Sequence, residues 1–369
     1  MVLGIDASRA AGPRTGVGRN VQHLLCAWAS QPSEFESIRI FAPAPIDDLP
    51  NDPRFRFELL PSRMPGIVWQ TRELGPAARG VDLLFSQYTL PLGYAGRSVV
   101  NNLGIYEGEF AFRGFRARGR SWHMGRSARA ARLVIANSHS TKRDIVRFFD
   151  VPEERVVVVW PGVAEAFHPL RDGEEDETRA VLQRYLGDRA TYFLFVGKLS
   201  ARRNVLPLLE AFRIAQTRHA DLGLLVVGPN TDGLPIEARI SELGLESSVR
   251  HVEYLDHEAL APLYRGACAF VLPTEHEGFS FTIPEALASG CPVITVEHPA
   301  LSEAGLADAT LAVLRPDPEV LADALLRVVE DAQLRDDLRD RGLRAARGLS
   351  WDETARTTMR ILEDVAHGA

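Results

Sequence analysis

The sequence predicts an α/β chain made of two doubly wound domains, each built on its own parallel β-sheet. Its 369 residues are too many for one ordinary α/β core and suit two domains of typical size. Short apolar runs alternate with helical patterns along both halves, which is typical of βαβ units. Between the halves lies a charged segment with few apolar residues, 171–180, after which a second series of strands and helices begins.

Apolar runs mark the predicted strands. In the first half they are residues 2–6, 38–43, 81–87, 98–103, 132–138 and 156–162, and in the second half 192–197, 222–229, 249–254, 268–274 and 291–297. We place the domain boundary between residues 165 and 166. In open α/β sheets, ligands bind beyond the carboxyl ends of the strands, so the loops after these strands are where we expect the chemistry.

Composition argues against several classes of protein. The three cysteines, Cys26, Cys268 and Cys291, are far apart, which argues against a disulfide framework or a zinc site and favours the reducing cytoplasm. The N-terminus has no basic stretch followed by an apolar one, and no run approaches roughly 18 unbroken apolar residues. We therefore expect neither secretion nor a membrane-spanning segment.

The net charge of −7 is unevenly distributed, because basic residues outnumber acidic ones in the first half. A run of arginines with no acidic residue among them extends from Arg113 to Arg132. It predicts either an ordinary solvated face or contact with something anionic, such as lipid headgroups or an anionic substrate. Nothing in the chain resembles a nucleic-acid-binding module, so we expect no nucleic acid partner.

The most informative stretch is residues 271–297. A buried strand is followed by a loop with Glu277 and Gly278, and a helix then opens near Glu285. Free backbone amides in this loop and at the helix N-terminus suit a phosphate, while a carboxylate accepts hydrogen bonds from both hydroxyls of a diol. A nucleotide sugar offers these groups. The alternative is that Glu285 only stabilises the helix dipole and Glu277 is a solvated loop residue.

The string EGFSFTIPEALASGCPVI, residues 277–294, resembles the E-x7-E signature of glycosyltransferase family GT4. The resemblance implies a retaining glycosyltransferase of the GT-B fold, with two Rossmann-like domains facing a central cleft. It also implies that Glu277 contacts the donor sugar and Glu285 the ribose. Residues 1–165 would bind the acceptor and 166–351 the nucleotide sugar, and the tail, from about residue 352 to 369, would pack back on the first domain.

Residues 193–212 resemble the family's strand, loop and helix in which two cations clamp the donor diphosphate. Lys198 and Arg203 would then stabilise the charge that gathers on the leaving nucleotide, without a metal or other cofactor. Arginine stands where lysine is commoner, but it keeps the charge. The implied catalytic residues are thus Glu277, Lys198 and Arg203. The further donor-side contacts implied by the resemblance are Gly16, Gly18, Gly197, Gly228, Leu255, Gly278, Phe279 and Ser280.

On the acceptor side, the glycine-bearing loop after the first strand, residues 14–20, offers Arg14 and Arg19 as candidate contacts. Many relatives carry a histidine near the reacting centre, but the corresponding region here, 99–110, has none. An asparagine or tyrosine there would contact the donor sugar and a glutamate would act as base, unless this is an ordinary polar loop. The polar candidates are Asn101, Asn102, Tyr106, Glu107 and Glu109. We interpret His123 and His139 as surface or structural residues.

The sequence therefore predicts transfer of a hexosyl group from GDP-mannose or a UDP- or dTDP-hexose to a hydroxyl of a glycan, lipid-linked or small-molecule acceptor. Two alternatives stay open. The absent histidine favours a non-catalytic nucleotide-sugar-binding protein, and a sugar-nucleotide epimerase could share the fold, although the E-x7-E string argues against it. We expect a cytoplasmic protein that contacts the inner face of the membrane peripherally through residues 113–132.

Overall fold

The computed structural model describes residues 1–12, 16–64, 66–104, 115–187, 189 and 191–368, with only the backbone of 115–117. The described chain divides into two compact units. The first unit comprises residues 1–162 and 350–369, and the second comprises residues 163–349. Each contains one parallel β-sheet flanked by helices, which confirms the predicted class of two doubly wound, Rossmann-like folds.

The sheet of the first unit has the strand order β3-β2-β1-β4-β5-β6-β7, with every pair parallel. Its described strands are β1 (Val2–Asp6), β2 (Ser37–Ala42), β3 (Phe55–Leu59), β4 (Leu83–Gln87), β5 (Ser98–Asn102), β6 (Leu133–Ala136) and β7 (Val156–Val158). Its described helices are α1 (Gly16–Ala29), α2 (Gly66–Trp69), α3 (Gly75–Ala77), α4 (Phe115–Ala130), α5 (His139–Phe149) and, from the C-terminus, α14 (Trp351–His367).

The sheet of the second unit has the order β10-β9-β8-β11-β12-β13 and is also parallel. Its described strands are β8 (Tyr192–Val196), β9 (Gly223–Val227), β10 (Val249–Val252), β11 (Ala269–Leu272), β12 (Val293–Val296) and β13 (Leu311–Val313). Its described helices are α6 (Glu175–Leu186), α7 (Val205–Gln216), α8 (Ile236–Glu242), α9 (His257–Gly266), α10 (Thr282–Ala288), α11 (Pro299–Glu303), α12 (Pro318–Glu330) and α13 (Ala332–Ala346).

The central strands are nearly continuous apolar runs because helices cover both faces of a parallel sheet. All five residues of β8 are buried, and so are all five of β9. The analysis of apolar runs missed β3 and β13. In β3 the sequence FRFEL alternates with charged residues, as expected for an edge strand whose face is partly solvated. Strand β13 has only three residues, all paired with β12, which is too short to show a recognisable apolar run.

The C-terminal helix α14 packs on the first unit. The indole Nε1 of Trp28 in α1 donates a hydrogen bond to the carbonyl of Ala355, 2.9 Å away, and both groups are buried. The hydroxyl of Thr354 donates to the carbonyl of Trp160 at 2.7 Å. Gly162 lies so close to the start of α14 that a Cβ there would collide with the backbone of Trp351. Residues from the two ends of the chain therefore stabilise one core.

None of the helices that the structure describes is both long and apolar enough to cross a membrane.

Candidate functional site

The order of strands in the second unit reverses between β8 and β11. In doubly wound sheets this reversal leaves a crevice beyond the carboxyl ends of the two strands, and ligands bind there. The loop after β8 carries Lys198 and Arg203, and the loop after β11 carries Glu277. Strand order therefore brings residues that are far apart in the sequence to the same edge of one sheet.

Two glycines allow the loops after β8 and β9 to approach each other. Gly197 and Gly228 have φ values of +155° and +150°, which favour glycine. A Cβ on Gly228 would collide with the carbonyl oxygen of Gly197, and a Cβ on Gly197 would collide with the guanidinium of Arg203. Both predicted glycines thus have a local steric role, and Gly197 leaves the space that the side chain of Arg203 occupies.

Glu277 is a buried carboxylate paired with two arginines. Its side chain is only 2% exposed, which excludes the alternative of a solvated loop acid. Its Oε1 lies 2.8 Å from Nη1 of Arg202 and 3.1 Å from Nη2 of Arg203. Burial by itself would raise the pKa of Glu277, but the charges of Arg203 and Arg202 and the hydrogen bond from Arg202 outweigh it and hold the pKa below its usual value. The carboxylate is therefore ionised and fixed in position.

Arg202 is a site residue that the sequence analysis missed. Besides contacting Glu277, its Nη1 donates to the carbonyl of His276 at 3.0 Å. The family spacing points to Arg203 and gives no signal for Arg202, which precedes it in the string ARRN. Asn204 ties the same two loops together, because its Nδ2 donates to the carbonyl of Pro273 at 2.8 Å.

The predicted cations differ in their surroundings. Lys198 is half-exposed, and its Nζ lies 2.7 Å from Oδ1 of Asp232 in the loop after β9. The side chain of Arg203 is only 16% exposed. Its Nε is buried and has no hydrogen-bond partner among the described residues. One cation is thus paired at the surface, while the other is nearly buried beside Glu277 and has one N–H without a hydrogen-bond partner among the described residues.

Glu285 lies in the first turn of α10 and is buried. The hydroxyl of Tyr264 in α9 is 3.5 Å from its Oε2. Phe279 and Ser280 are also buried, and the Ser280 hydroxyl lies 3.0 Å from that of Thr282. Most of the segment from Glu277 to Glu285 is therefore buried. Gly278 and Leu255 are buried as well.

The glycine-bearing loop predicted after β1 is partly wrong, because α1 already begins at Gly16. Gly16, Gly18 and Arg19 are therefore helical. The reason for glycine at position 18 is packing, since a Cβ there would collide with the carbonyl oxygen of Arg9. Arg14 lies outside the described residues.

At the end of β5, the buried side chain of Asn102 accepts a hydrogen bond from the backbone N–H of Gly104 at 3.0 Å. Asn101 donates to the side-chain oxygens of Asn20 and Gln87, at 2.9 and 3.0 Å, so it belongs to a buried amide network. The remaining candidates of that region lie outside the described residues: Tyr106, Glu107 and Glu109.

His123 and His139, which the sequence analysis singled out, differ in exposure. His139 is exposed, with its ring 6.0 Å from that of Trp160 in an edge-on arrangement. His123 is buried in α4, and burial, together with the charge of Arg126, lowers its pKa. Within the described part of the chain, no group of three or more His, Cys, Asp or Glu side chains is arranged to hold a metal ion.

Comparison with known protein families identifies the chain. The family model described as "Glycosyl transferases group 1" matches residues 176–344, and the model "Glycosyltransferase Family 4" matches residues 14–167. The chain belongs to the family 4, group 1 glycosyltransferases. This GT4 protein is 30% identical over 314 residues to the D-inositol 3-phosphate glycosyltransferase of a Nocardioides species. The alignment covers 79% of this chain and 65% of that relative, so the chain spans a little under two thirds of its length.

Solved structures confirm the GT-B fold of this family member. Sucrose-phosphate synthase from Thermosynechococcus elongatus matches with a TM-score of 0.81 at 20% identity, covering 100% of this chain and 99% of that one. Anabaena HepE in complex with UDP-glucose matches with a TM-score of 0.76 at 15% identity, covering 98% of this chain and 99% of that one.

Proposed function

We propose that this GT4 protein is a retaining glycosyltransferase that moves a hexosyl group from a nucleotide-diphosphate sugar to a hydroxyl of a glycan, lipid-linked or small-molecule acceptor. One observation carries the proposal. At the point where strand order reverses in the second unit, a buried carboxylate is held by two guanidinium groups, with a lysine in the same loop as the arginines. That arrangement offers fixed positive charge and a fixed acceptor of hydroxyl hydrogen bonds, which a sugar diphosphate needs.

The cations suit a diphosphate in different ways. The buried Nε of Arg203 supplies an N–H that gains a partner only when a ligand arrives. The ion pair between Lys198 and Asp232 is half-exposed, and pairs of this kind contribute only about 0–1 kcal/mol. A diphosphate with at least two charges therefore competes easily with Asp232 for the lysine. Charge neutralised in this way stabilises the leaving group without a metal.

Glu277 supplies the other half of the site. Its Oε1 is held by Arg202 and Arg203, which fixes the carboxylate in position. It would accept hydrogen bonds from the hydroxyls of the transferred sugar. In the front-face mechanism that we propose, the leaving phosphate takes the proton of the incoming hydroxyl, so no protein base is required. The first unit would bind the acceptor. Glu285 would hold the ribose.

The comparisons support the substrate classes. HepE, which shares the fold, has been crystallised with UDP-glucose, so a UDP-hexose is one candidate donor beside GDP-mannose and dTDP-hexoses. The Nocardioides relative is named for an inositol phosphate. A phosphorylated polyol is therefore the first small-molecule acceptor to test, together with lipid-linked glycans.

Donor binding is tested by thermal shift and calorimetry with UDP, GDP, dTDP and ADP and their hexose conjugates, without added metal. We expect one base to stabilise the protein, and Lys198→Ala and Arg203→Ala to weaken that response at least tenfold. Arg213→Ala, an exposed arginine of α7, is the matched control. Unchanged affinity in both site variants would contradict the proposed clamp.

Transfer is tested by incubating the protein with the bound donor and candidate acceptors and determining the anomeric configuration of the product. A retained configuration, lost in Glu277→Ala, supports the proposal. Tight donor binding with neither transfer nor slow donor hydrolysis would indicate a binding protein instead. Inversion at a ring carbon of the free nucleotide sugar would indicate an epimerase.

We also propose that α4 contacts anionic lipid. Among its described side chains, Trp122 is 60% exposed, and Arg118, one turn earlier, and Arg120 are exposed too. An aromatic side chain among arginines suits the membrane interface, where the ring enters the headgroup layer and the cations meet phosphates. The side chains of Arg113 and Arg116 lie outside the described residues.

Sedimentation with vesicles tests this contact. The protein should bind phosphatidylcholine vesicles that contain phosphatidylglycerol, and high salt or the double variant Arg118→Glu/Arg120→Glu should release it. Arg213→Glu should bind like the wild type. Equal binding to pure phosphatidylcholine, or no effect of the double variant, would favour the ordinary solvated face.

A further inference from the structure

One buried histidine of the second unit has no role in the site described so far. His298 follows β12, the strand beside β11, and its side chain is 5% exposed. Neither ring nitrogen has a hydrogen-bond partner among the described residues. Most buried polar side chains in proteins are hydrogen-bonded, so a doubly unpartnered imidazole requires an explanation.

The surroundings of His298 connect it to the candidate site. Its charged form would interact with Glu277, His276 and Glu303, so the ring lies within electrostatic range of the central carboxylate. It also lines a cavity of about 10 Å³ together with Phe279 and Ser280 of the loop after β11. The rest of the lining is apolar: Ile283, Ala300, Leu301 and Leu306.

The ring is neutral near pH 7. Burial, the largest effect, and the neighbouring His276 lower the pKa of His298, and the acidic groups raise it only partly, leaving it at about 4. A neutral imidazole has one N–H to donate and one nitrogen that accepts. Leaving such groups unpaired in an apolar pocket destabilises the fold, and an aliphatic side chain of similar size would avoid that cost. The histidine is best explained by a partner that arrives with a ligand.

We propose that His298 is a donor-binding residue whose ring N–H hydrogen-bonds an oxygen of the nucleotide sugar held by the loop after β11. The inference rests on the proposed function and extends it to a residue outside the E-x7-E string. The bound oxygen belongs either to the diphosphate or to a sugar hydroxyl, since both accept an N–H. The neutral ring binds it without adding a charge beside Arg202 and Arg203, and it takes no part in proton transfer.

Three variants test the assignment. His298→Leu fills the space without polar atoms, while His298→Asn and His298→Gln each restore an N–H near one of the two ring nitrogens. His219→Leu, a histidine that pairs with Glu330 at the surface of the same unit, is the control. Affinity for the nucleoside diphosphate and for its hexose conjugate is measured by calorimetry, and the melting temperature without ligand reports folding.

Loss of one hydrogen bond to a ligand oxygen should weaken binding in His298→Leu roughly tenfold to a hundredfold. At least one of the two amide variants should recover most of the lost affinity. The melting temperature without ligand should not follow this recovery, because the affinity reports a contact with the ligand and the melting temperature reports folding. Equal losses of affinity for the nucleoside diphosphate and for its hexose conjugate would assign the contact to the diphosphate. A loss of affinity for the conjugate alone would assign it to the sugar.

Two results would overturn the inference. One is affinity in His298→Leu within twofold of the wild type, as expected if the cavity merely holds a water molecule. The other is a loss that neither amide variant reverses. Failure of the proposed function looks different, because the wild-type protein itself would then bind none of the nucleotides or conjugates.

Discussion

The two arginines on Glu277 make a specific prediction for the Glu277→Gln variant. Glutamine keeps the size of the side chain but removes the anion that Arg202 and Arg203 share. Because both arginine side chains are only 16% exposed, water cannot fully replace the carboxylate. We expect a less stable second unit whose two arginines, no longer sharing an anion, bind a nucleoside diphosphate at least as tightly as before, while sugar transfer is lost.

The magnitude follows from the geometry. Removing one partner of a fully buried ion pair costs about 3–5 kcal/mol. Glutamine still accepts a hydrogen bond, and the arginines keep some contact with solvent, so we expect about 2–3 kcal/mol here. In a unit of this size, each kcal/mol shifts Tm by about 2–4 °C, so Tm of the second unit should fall by about 4–12 °C.

The same contacts make the stability of the fold depend on pH. The pKa of Glu277 in the folded protein is held below its ordinary value of 4.5. Its ionised form therefore stabilises the fold fully above about pH 4.5, and this contribution is lost as the pH falls through the folded-state pKa. The stability difference between wild type and Glu277→Gln should be constant from about pH 6 to 8 and shrink at acid pH.

Urea unfolding at several pH values measures the stability of the fold. Thermal shift with the nucleoside diphosphate measures whether the variant still binds it. Glu275→Gln, which changes an exposed acid of the same loop, should leave both unchanged. The reasoning is refuted if Glu277→Gln is as stable as the wild type, or if its response to the diphosphate weakens as we expect for Arg203→Ala.

Three further predictions concern the scaffold and His298. Gly228→Ala should lower the stability of the second unit by more than about 2 kcal/mol in urea unfolding. The control Gly173→Ala, also at positive φ but in open space, should cost about 1 kcal/mol. Equal effects of the two substitutions would contradict the steric argument. Removing residues 350–369 should lower the melting transition of the first unit and leave that of the second in place. Because the pKa of His298 falls from 6.5 to about 4 on folding, acidification from pH 6.5 to 4 should destabilise the wild type by up to about 3 kcal/mol more than His298→Leu; parallel curves would contradict this.

Much of the fold could be predicted because it depends on local pattern. Strands buried on both faces read as apolar runs, and β1, β8 and β11 lie within the segments predicted for them. The edge strand β3 was not visible because charged residues alternate with its apolar ones. The glycine at position 18 was assigned to a loop because sequence shows that glycine is needed, and not whether a turn or a close helix contact needs it.

The site was only partly predictable. The family string points to Glu277, Glu285, Lys198 and Arg203, and their roles toward a nucleotide sugar remain our proposals. What sequence could not show is that Arg202 shares the carboxylate with Arg203, or that Lys198 pairs with Asp232. Nor does a lone histidine after a strand reveal that its ring is buried without a partner, as that of His298 is.

By itself, then, the sequence determined the fold class, two doubly wound α/β domains, and the family, since apolar periodicity and a contiguous motif are properties of neighbouring residues. Only the tertiary structure decided which side chains meet. Arg202 and Glu277 are 75 residues apart, and they touch because β8 and β11 are neighbours where the strand order reverses. The ionisation of Glu277 and of His298 follows from burial and from those long-range neighbours, so it too is decided by the folded chain.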